Sequence, residues 1–273
     1  MGRVAGKVLV WFLVLGLMSG SFMGCSETDD DDDDDISDAL PLPPDASMSI
    51  DLTAFNGDKM APSALAPGEN FNNAIARVAI VNLAVVIALS PGTTVFKAAS
   101  SATPVEESDG SWTWKYMAKW LFHTFEANLN GRMEGFGTVW SMRVSCDSLD
   151  VPVDDFQWYT GEVELNNSSG SWRFFDYKTP DTAREIGTIE WEVKDRDTSN
   201  LMFSNTDAES DGYGDVLTYS LDGTEAEISF EDASENITAE ITWDTITLAG
   251  SIMVPDYNNG ERAYWDEDLQ DTE

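Results

Sequence analysis

The spacing of hydrophobic and polar residues changes several times along the chain. A short apolar run, Val8 to Met18, is followed by a polar stretch that contains seven consecutive aspartates, Asp29 to Asp35. A long apolar segment then covers residues 71–89. From Trp112 onward, apolar residues alternate with polar ones. Because an alternation with period two indicates strands, the pattern predicts a helix followed by a large sheet.

The apolar segment predicts a buried helix. Asn70 can act as the N-cap of a helix over residues 71–89. The segment is apolar on all sides, which is typical of a helix that lies inside a domain or a membrane. Since it is short for a membrane span, we expect it to be buried in the domain. Ser90 and Pro91 then predict a second short helix over residues 91–100.

Short turns divide the alternating region into about ten strands. Asn130–Gly131 is the strongest hairpin signal, because this pair favours a type I′ turn. Asp222–Gly223 predicts another tight turn, which places Tyr219 opposite Ala226. The first turn predicts three cross-strand pairs: Phe125 with Phe136, His123 with Thr138, and Leu121 with Trp140.

Strands joined by short connections predict an antiparallel meander. The predicted helices are the available cover for its apolar face. The expected fold class is therefore α+β, with buried N-terminal helices packed on a strongly curved antiparallel β-meander that forms an incomplete barrel. This architecture resembles the lipoprotein carriers of the LolA and LppX type, which hold lipid in a half-barrel closed by helices. The resemblance implies, as one alternative, a carrier for a lipid or another hydrophobic ligand.

The first 25 residues resemble the signal of a bacterial lipoprotein. Arg3 and Lys7 precede the apolar run. After it come the small residues at positions 19–21, then Phe22 and Met23, and then Gly24 and Cys25. This order is similar to a lipobox, in which the signal is cut just before a cysteine that receives acyl chains. The resemblance implies lipidation of Cys25 and attachment to a bacterial outer membrane or cell surface.

The stretch after Cys25 predicts a solvated tether. Seven consecutive aspartates repel one another and resist burial, and five prolines follow before residue 68. The acidic stretch Ser26–Asp35 also resembles a segment that directs some Bacteroidetes lipoproteins to the cell surface, with a plain spacer as the alternative. These patterns divide the chain into a signal peptide (1–24), a lipidated, Asp-rich disordered tether (25–68) and a single α+β domain (69–273).

Net charge restricts the possible partners. The chain has 50 acidic and 15 basic residues, and its formal charge is −35. Nucleic acids and anionic lipid surfaces select basic patches, so neither is expected as a partner of the domain. One histidine and two cysteines exclude a closed structural zinc site of the Cys/His type and a framework of several disulfides.

Candidate catalytic groups are few. His123 is the only imidazole, and its place in an apolar stripe favours a hydrogen-bonded sheet residue over a general base. Cys146 continues the stripe of Trp140, Met142 and Val144, which favours a buried and unreactive thiol. The sequence also lacks the serine elbow of α/β-hydrolases. A catalytic role is therefore not expected.

Carboxylates and tryptophans leave another alternative open. Three pairs of glutamates lie two residues apart on the expected outer faces of strands: Glu162 with Glu164, Glu190 with Glu192, and Glu225 with Glu227. Two carboxylates can hydrolyse a sugar bond, and tryptophans can stack on sugars. A glycan-binding or glycan-hydrolysing module would need exposed rings among four tryptophans: Trp158, Trp172, Trp191 and Trp243.

One acidic loop resembles the first part of a calcium loop of the EF-hand or thrombospondin-repeat kind. Asp207, Glu209, Asp211 and Asp215 place oxygens at relative positions 1, 3, 5 and 9, with Gly212 at position 6. At position 12 a threonine replaces the bidentate glutamate of the EF-hand. The resemblance implies a calcium ion held by the four carboxylates. A solvated acidic turn is the alternative.

These patterns together predict a lipid-anchored protein of the bacterial envelope or surface. A binding or structural role is expected rather than catalysis. The expected partners are the membrane, through the acyl chains on Cys25, and a hydrophobic ligand or an envelope protein. No nucleic acid is expected as a partner, no cofactor apart from the calcium alternative is expected, and the chain is expected to be a monomer.

Overall fold

The chain forms one sheet of fourteen antiparallel strands, and each strand pairs with the next along the sequence. The computed structural model describes residues 39–50, 52–55, 67–135, 137–195 and 197–273, and it gives the backbone alone for residue 53 and residues 79–93. The predicted signal peptide, Cys25 and the aspartate run lie outside the described residues, as does Phe136.

The first seven strands are β1 (Val105–Glu106), β2 (Trp112–Trp120), β3 (His123–Glu134), β4 (Gly137–Cys146), β5 (Val153–Glu164), β6 (Ser169–Phe175) and β7 (Glu185–Asp195). The other seven are β8 (Thr198–Asn205), β9 (Val216–Asp222), β10 (Glu225–Asp232), β11 (Ile237–Asp244), β12 (Gly250–Met253), β13 (Ala263–Trp265) and β14 (Asp271–Thr272). The predicted meander is confirmed. The prediction of about ten strands was too low. It missed β8, and the two-residue strands β1 and β14 are too short to show an alternation. It also missed the turn that separates β2 from β3.

In the described part of the chain, one α-helix, α1 (Glu69–Ala98), precedes the sheet. The described short 3₁₀ helices are Asp45–Ser47, Thr53–Phe55, Ala99–Ser101, Pro180–Thr182 and Asn258–Gly260. With one long helix beside fourteen strands, the described chain is mainly an antiparallel β-structure, so the expected α+β class holds only in part.

The predicted break at Ser90 and Pro91 is wrong, since α1 continues through both as one helix of 30 residues. A proline inside a helix removes one backbone hydrogen bond and crowds the preceding turn. Packing on both sides of the proline favours continuation. The buried residues are Phe71, Ala74 and Val78 before it, and Val95 and Phe96 after it.

Helix α1 begins against the last strand of the sheet. Gly68 is the N-cap, and the carboxylate of Asp271 accepts hydrogen bonds from the backbone N–H groups of Glu69 (3.1 Å) and Asn70 (2.9 Å). The predicted cap, Asn70, instead lies in the first turn and donates from its side chain to the carbonyl oxygen of Tyr264 (2.7 Å). A carboxylate at this end satisfies exposed N–H groups and favours the positive end of the helix dipole.

The sheet curls around the other end of α1. The hydroxyl of Tyr116 on β2 donates to the carbonyl oxygen of Val95 (2.7 Å). The next residue, Phe96, packs edge-on against Trp172 on β6, with ring centroids 5.7 Å apart. In a flat sheet β2 and β6 would lie about 19 Å apart. Two neighbouring helix residues reach both strands because the sheet curves around them.

Glycines on the inner face make room for tryptophan rings from neighbouring strands. Gly131 pairs with Trp140, and Gly161 pairs with both Trp140 and Trp172. A Cβ atom on Gly131 would lie 2.7 Å from the Trp140 ring, and one on Gly161 would lie 2.2 Å from the Trp172 ring. The arrangement recurs at two further glycines: Gly170 beneath Trp191, and Gly250 beneath Trp265. Each of these glycines allows an indole ring to lie over the backbone of the neighbouring strand.

The predicted turn at Asn130–Gly131 is wrong, because both residues lie inside β3. The glycine that is typical of a turn is required here by the Trp140 ring. Thr138 consequently pairs with Met133 rather than with His123. The hairpin at Asp222–Gly223 is confirmed, but its register differs by two residues, since Tyr219 pairs with Ile228. A shift of two leaves the same side chains on the inner face.

Side chains from residues 39–50, 52, 54 and 55 also pack on the inner face. Met48 and Phe55 are buried, and the Phe55 ring contacts Trp243 at 4.8 Å and Phe71 at 6.0 Å between centroids. The compact unit therefore begins at Ala39, within the stretch that the sequence assigns to the tether. Scattered apolar residues between prolines gave no periodic signal for this packing.

Candidate recognition site at the β2–β3 hairpin tip

Two apolar residues form the turn between β2 and β3. Trp120 pairs with His123, so Leu121 and Phe122 are the two turn residues. Leu121 is 72% exposed and Phe122 is 96% exposed. Leu121 has a φ of +52°, whereas Phe122 is not among the residues with positive φ. This combination is typical of a type II′ turn, in which the first position favours glycine.

Leu121 differs from the other described leucines that have a positive φ, Leu248 and Leu269. Leu269 is buried, and its carbonyl oxygen accepts a hydrogen bond from the backbone N–H of Gly68. The carbonyl oxygen of Leu248 accepts a hydrogen bond from the indole of Trp265. Both strained residues therefore hold the C-terminal strands in place. Leu121 has the same type of backbone conformation but presents its side chain to solvent.

A series of aromatic contacts connects the tip to the core. Trp120 stacks on His123 with an interplanar angle of 24° and 6.1 Å between centroids. His123 in turn lies 6.4 Å from Phe125, and Phe125 lies 5.1 Å from Trp158. Phe125 and Trp158 are buried. These contacts therefore hold the end of the hairpin in place, which reduces the conformational entropy that the exposed turn would lose on binding.

His123 also fixes the neighbouring loop between β4 and β5. Its Nδ1 atom lies 3.0 Å from the hydroxyl of Ser148, and that hydroxyl lies 3.4 Å from the Sγ atom of Cys146. The thiol of Cys146 is buried and unpaired by a disulfide, as predicted. Nucleophilic catalysis by such a pair needs an orienting carboxylate. Within the described part of the chain, no carboxylate hydrogen-bonds to His123. The geometry therefore fits a positioning role.

In the loop that resembles a calcium site, two acidic residues pair with an arginine. The guanidinium of Arg184 donates to Asp207 (2.9 Å) and Glu209 (2.5 Å), and it also donates to Asp176 (2.5 Å). Two of the four predicted ligands are therefore engaged by a cation from the chain itself. The other two predicted ligands are Asp215 and Asp211. Asp215 accepts a hydrogen bond from the backbone N–H of Ala233, and Asp211 is exposed to solvent.

Electrostatics support the ion-pair interpretation of this cluster. Burial favours a raised pKa for Asp176, but hydrogen bonds from Arg184, Lys178 and Thr179 outweigh it and lower the pKa below its ordinary value. The hydrogen bond to Asp176 raises the pKa of Arg184. Since the pKa of Asp176 is lowered on folding, its stabilisation is present above about pH 4 and is lost as the pH falls further. Over the described residues, no group of three or more histidine, cysteine or acidic side chains is arranged to hold a metal ion.

The residues that favoured a glycan site do not come together in a cleft. All four tryptophans that this alternative needs are buried: Trp158, Trp172, Trp191 and Trp243. The paired glutamates are exposed on the opposite, outer face of the sheet, as predicted: Glu162 with Glu164, Glu190 with Glu192, and Glu225 with Glu227. Stacking rings and carboxylates are thus separated by the sheet itself.

Shallow polar grooves lie on the outer face. One groove of about 450 Å³ is lined by Lys115, Glu126, Arg143 and Asp155 among others. Arg143 and Asp155 pair with each other at 2.8 Å. Another groove, of about 630 Å³, is bordered by the acidic residues Glu134 of β3 and Glu162 and Glu164 of β5. These grooves present charges of both signs or of negative sign, and they do not continue the apolar surface of the tip.

The sequence does indicate the turn between β2 and β3, but the predicted register placed the turn at a different position. Leu121 was expected in a strand opposite Trp140, as a member of the inward stripe. Trp120, Leu121 and Phe122 are three large apolar residues in succession, which breaks the alternation on both sides. Two extra apolar residues between two alternating segments predict a turn if the hairpin is centred there. The stronger signal at Asn130–Gly131 directed the turn elsewhere.

Comparison of the chain with protein-family models, with curated proteins and with solved structures finds no match. Within the described residues, no helix combines the length and apolar character that a membrane crossing requires. The geometry of the tip is therefore the observation on which a functional proposal can rest.

Proposed function

We propose that the chain is a lipid-anchored protein of a bacterial outer membrane or cell surface, with a binding or structural role rather than a catalytic one. The β2–β3 tip is the observation that carries the binding role. Leu121 and Phe122 expose large apolar side chains at the end of a supported hairpin. Exposed apolar side chains on a rigid element are typical of interaction sites.

The N-terminal sequence supports the anchor. A basic start, a short apolar run and Gly24 before Cys25 resemble a lipobox. Thirteen residues separate Cys25 from Ala39, where the compact unit begins. Fully extended, this length of chain spans at most about 50 Å. The domain would thus remain within a few nanometres of the membrane that holds the acyl chains.

The glycan alternative loses its main support, because the tryptophans that it needs are buried in the core. The carrier alternative needs open space between α1 and the sheet. Phe55, Phe71 and Phe96 pack into this region from the helix and from the segment before it. The described side chains therefore favour a packed interior, and we prefer binding at the tip to transport of a ligand inside.

The anchor can be tested by feeding the host an alkyne fatty acid and comparing two cysteine variants. Cys25→Ala should lose the label and leave the membrane fraction. Cys146→Ala is the matched control, because that thiol is buried and should carry no acyl chain. Retention of label and membrane association by Cys25→Ala would contradict the proposed anchor.

A further inference from the structure

We propose that the β2–β3 tip inserts Leu121 and Phe122 into the interfacial region of the lipid bilayer to which the chain is anchored. This inference rests on the proposed anchor, and it assigns the exposed turn a ligand of defined chemistry: the surface of a bilayer that carries little net charge. The acyl chains would supply attachment, and the tip would fix the orientation of the domain.

The shape of the tip fits insertion into a fluid surface. Phe122 is 96% exposed and Leu121 is 72% exposed, and both lie at the extreme end of one hairpin. The backbone of Leu121 has the left-handed conformation that favours glycine, so the fold retains a bulky apolar side chain where it is energetically unfavourable. Burial of the Leu121 side chain in a bilayer would offset this backbone strain.

The residues behind the turn are suited to the membrane interface. Trp120 and His123 stack directly beneath it, and aromatic rings with a polar group prefer the headgroup region. Lys119 is exposed one residue before Trp120, and within the described residues it forms no ion pair. A lysine at this depth can extend its ammonium group towards lipid phosphates while its alkyl chain remains in the apolar layer.

The charge near the tip permits approach to a bilayer. The adjoining loops carry both signs, with Asp147 and Asp150 after β4 and with Asp176, Lys178, Asp181 and Arg184 after β6, which is a net charge of −2 for the two loops. The acidic loop at residues 207–215 lies five strands further along the sheet. Together with the exposed Lys119, the local net charge is −1. Such a weak charge suits a zwitterionic surface, and the net charge of −35 argues against strongly anionic lipid.

The length of chain outside the compact unit allows the tip to reach the membrane. The carbonyl oxygen of Leu42 accepts a hydrogen bond from Asn167, in the turn between β5 and β6, at the end of the strands opposite to the tip. A strand of 12 residues such as β5 spans about 40 Å. The chain between Cys25 and Ala39 can extend over a comparable distance. Tethering also raises the effective lipid concentration, so weak insertion is sufficient.

The test places an environment-sensitive fluorophore at the tip of the full-length acylated protein in phosphatidylcholine vesicles. Phe122→Cys is labelled with a nitrobenzoxadiazole probe, because its side chain contacts little of the fold. Cys25 is acylated and Cys146 is buried, so neither should react. Leu165→Cys is the control at the opposite end of the strands, and Tyr213→Cys is the control at the same end in the acidic loop; both side chains are exposed.

Insertion predicts that the probe at position 122 emits at shorter wavelength and is quenched by spin-labelled lipid, because interfacial apolar groups lie about 5–10 Å into the boundary between headgroups and acyl chains. The probes at positions 165 and 213 should retain the emission of water. A water-like probe at position 122 in vesicle-bound acylated protein would overturn this inference and favour a protein partner, while the anchor would stand. Protein that carries no acyl chain and stays in solution would instead contradict the proposed anchor, and this inference with it.

Discussion

Trp172 and Phe122 lie at opposite extremes of exposure within the same sheet. Trp172 is fully buried, contacts Phe96 of α1 and Tyr159, and covers the backbone of Gly161. Phe122 is 96% exposed at the end of a hairpin. The environment of the first ring is set by its neighbours on all sides, whereas the second ring has little contact with the fold. The difference separates residues that stabilise the domain from residues that are available to a partner.

The largest expected effect is the difference in unfolding free energy between variants of Trp172 and of Phe122. Trp172→Ala should lower the free energy of unfolding by about 3–5 kcal/mol, because it leaves a cavity beside α1. Phe122→Ala should change it by less than about 0.5 kcal/mol, since the side chain is exposed. Urea unfolding followed by circular dichroism measures both. Equal losses of unfolding free energy would show that Phe122 contributes to the core, which would contradict the distinction between the two rings.

The pairing of glycine with tryptophan should be visible as an energetic coupling. Gly131→Ala places a methyl group against the Trp140 ring and should cost about 1–3 kcal/mol. In a Trp140→Ala background the same substitution should cost much less, because the nearest atoms to the new Cβ all belong to that ring. A double-mutant cycle of unfolding free energies gives the coupling. Additive losses would contradict the packing described for the inner face.

The contact between α1 and the C-terminal strand predicts a smaller effect. Asp271→Ala should destabilise the domain by about 0.5–2 kcal/mol, because two helix N–H groups lose their acceptor. Asp268→Ala is the control, since Asp268 is an exposed acidic residue near the same end of the chain. Thermal unfolding at low salt compares the two variants. A similar melting temperature for both would show that Asp271 does not stabilise the helix.

The smallest expected effect has the opposite sign. Leu121→Gly should leave stability unchanged or raise it by up to about 1 kcal/mol, because glycine adopts a positive φ without strain. The same variant should weaken docking of the tip on vesicles. Such a gain in stability with a loss of binding is typical of residues retained for function. Destabilisation by Leu121→Gly would indicate that the leucine side chain supports the hairpin.

The inner face could be predicted from the sequence to a large extent. Alternation marked the inward side of most strands, and the buried tryptophans, the buried Cys146 and the solvated glutamates follow from it. The register between β3 and β4 could not be predicted, because a glycine opposite an indole and a glycine in a turn give the same local signal. Gly131 has the first role, and the turn lies beyond Glu134.

The contacts between distant parts of the chain were also beyond local patterns. Asn70 has the chemistry of a helix cap, yet the cap is provided by Asp271, 201 residues later in the chain. Asp207 and Glu209 have the spacing of calcium ligands, yet Arg184 from another loop lies between them. In each case the local sequence identified a polar group that needs a partner, and the fold determined which partner it has.

Depth of the tip in the bilayer tests the central claim most directly. A nitroxide attached at Phe122→Cys in the acylated protein on vesicles can be probed with oxygen, which concentrates in the bilayer, and with a polar nickel complex, which is excluded from it. We predict that the nitroxide at position 122 is accessible to oxygen and protected from nickel, whereas one at Leu165→Cys is accessible to nickel. Equal accessibility to nickel at both positions would contradict insertion of the tip.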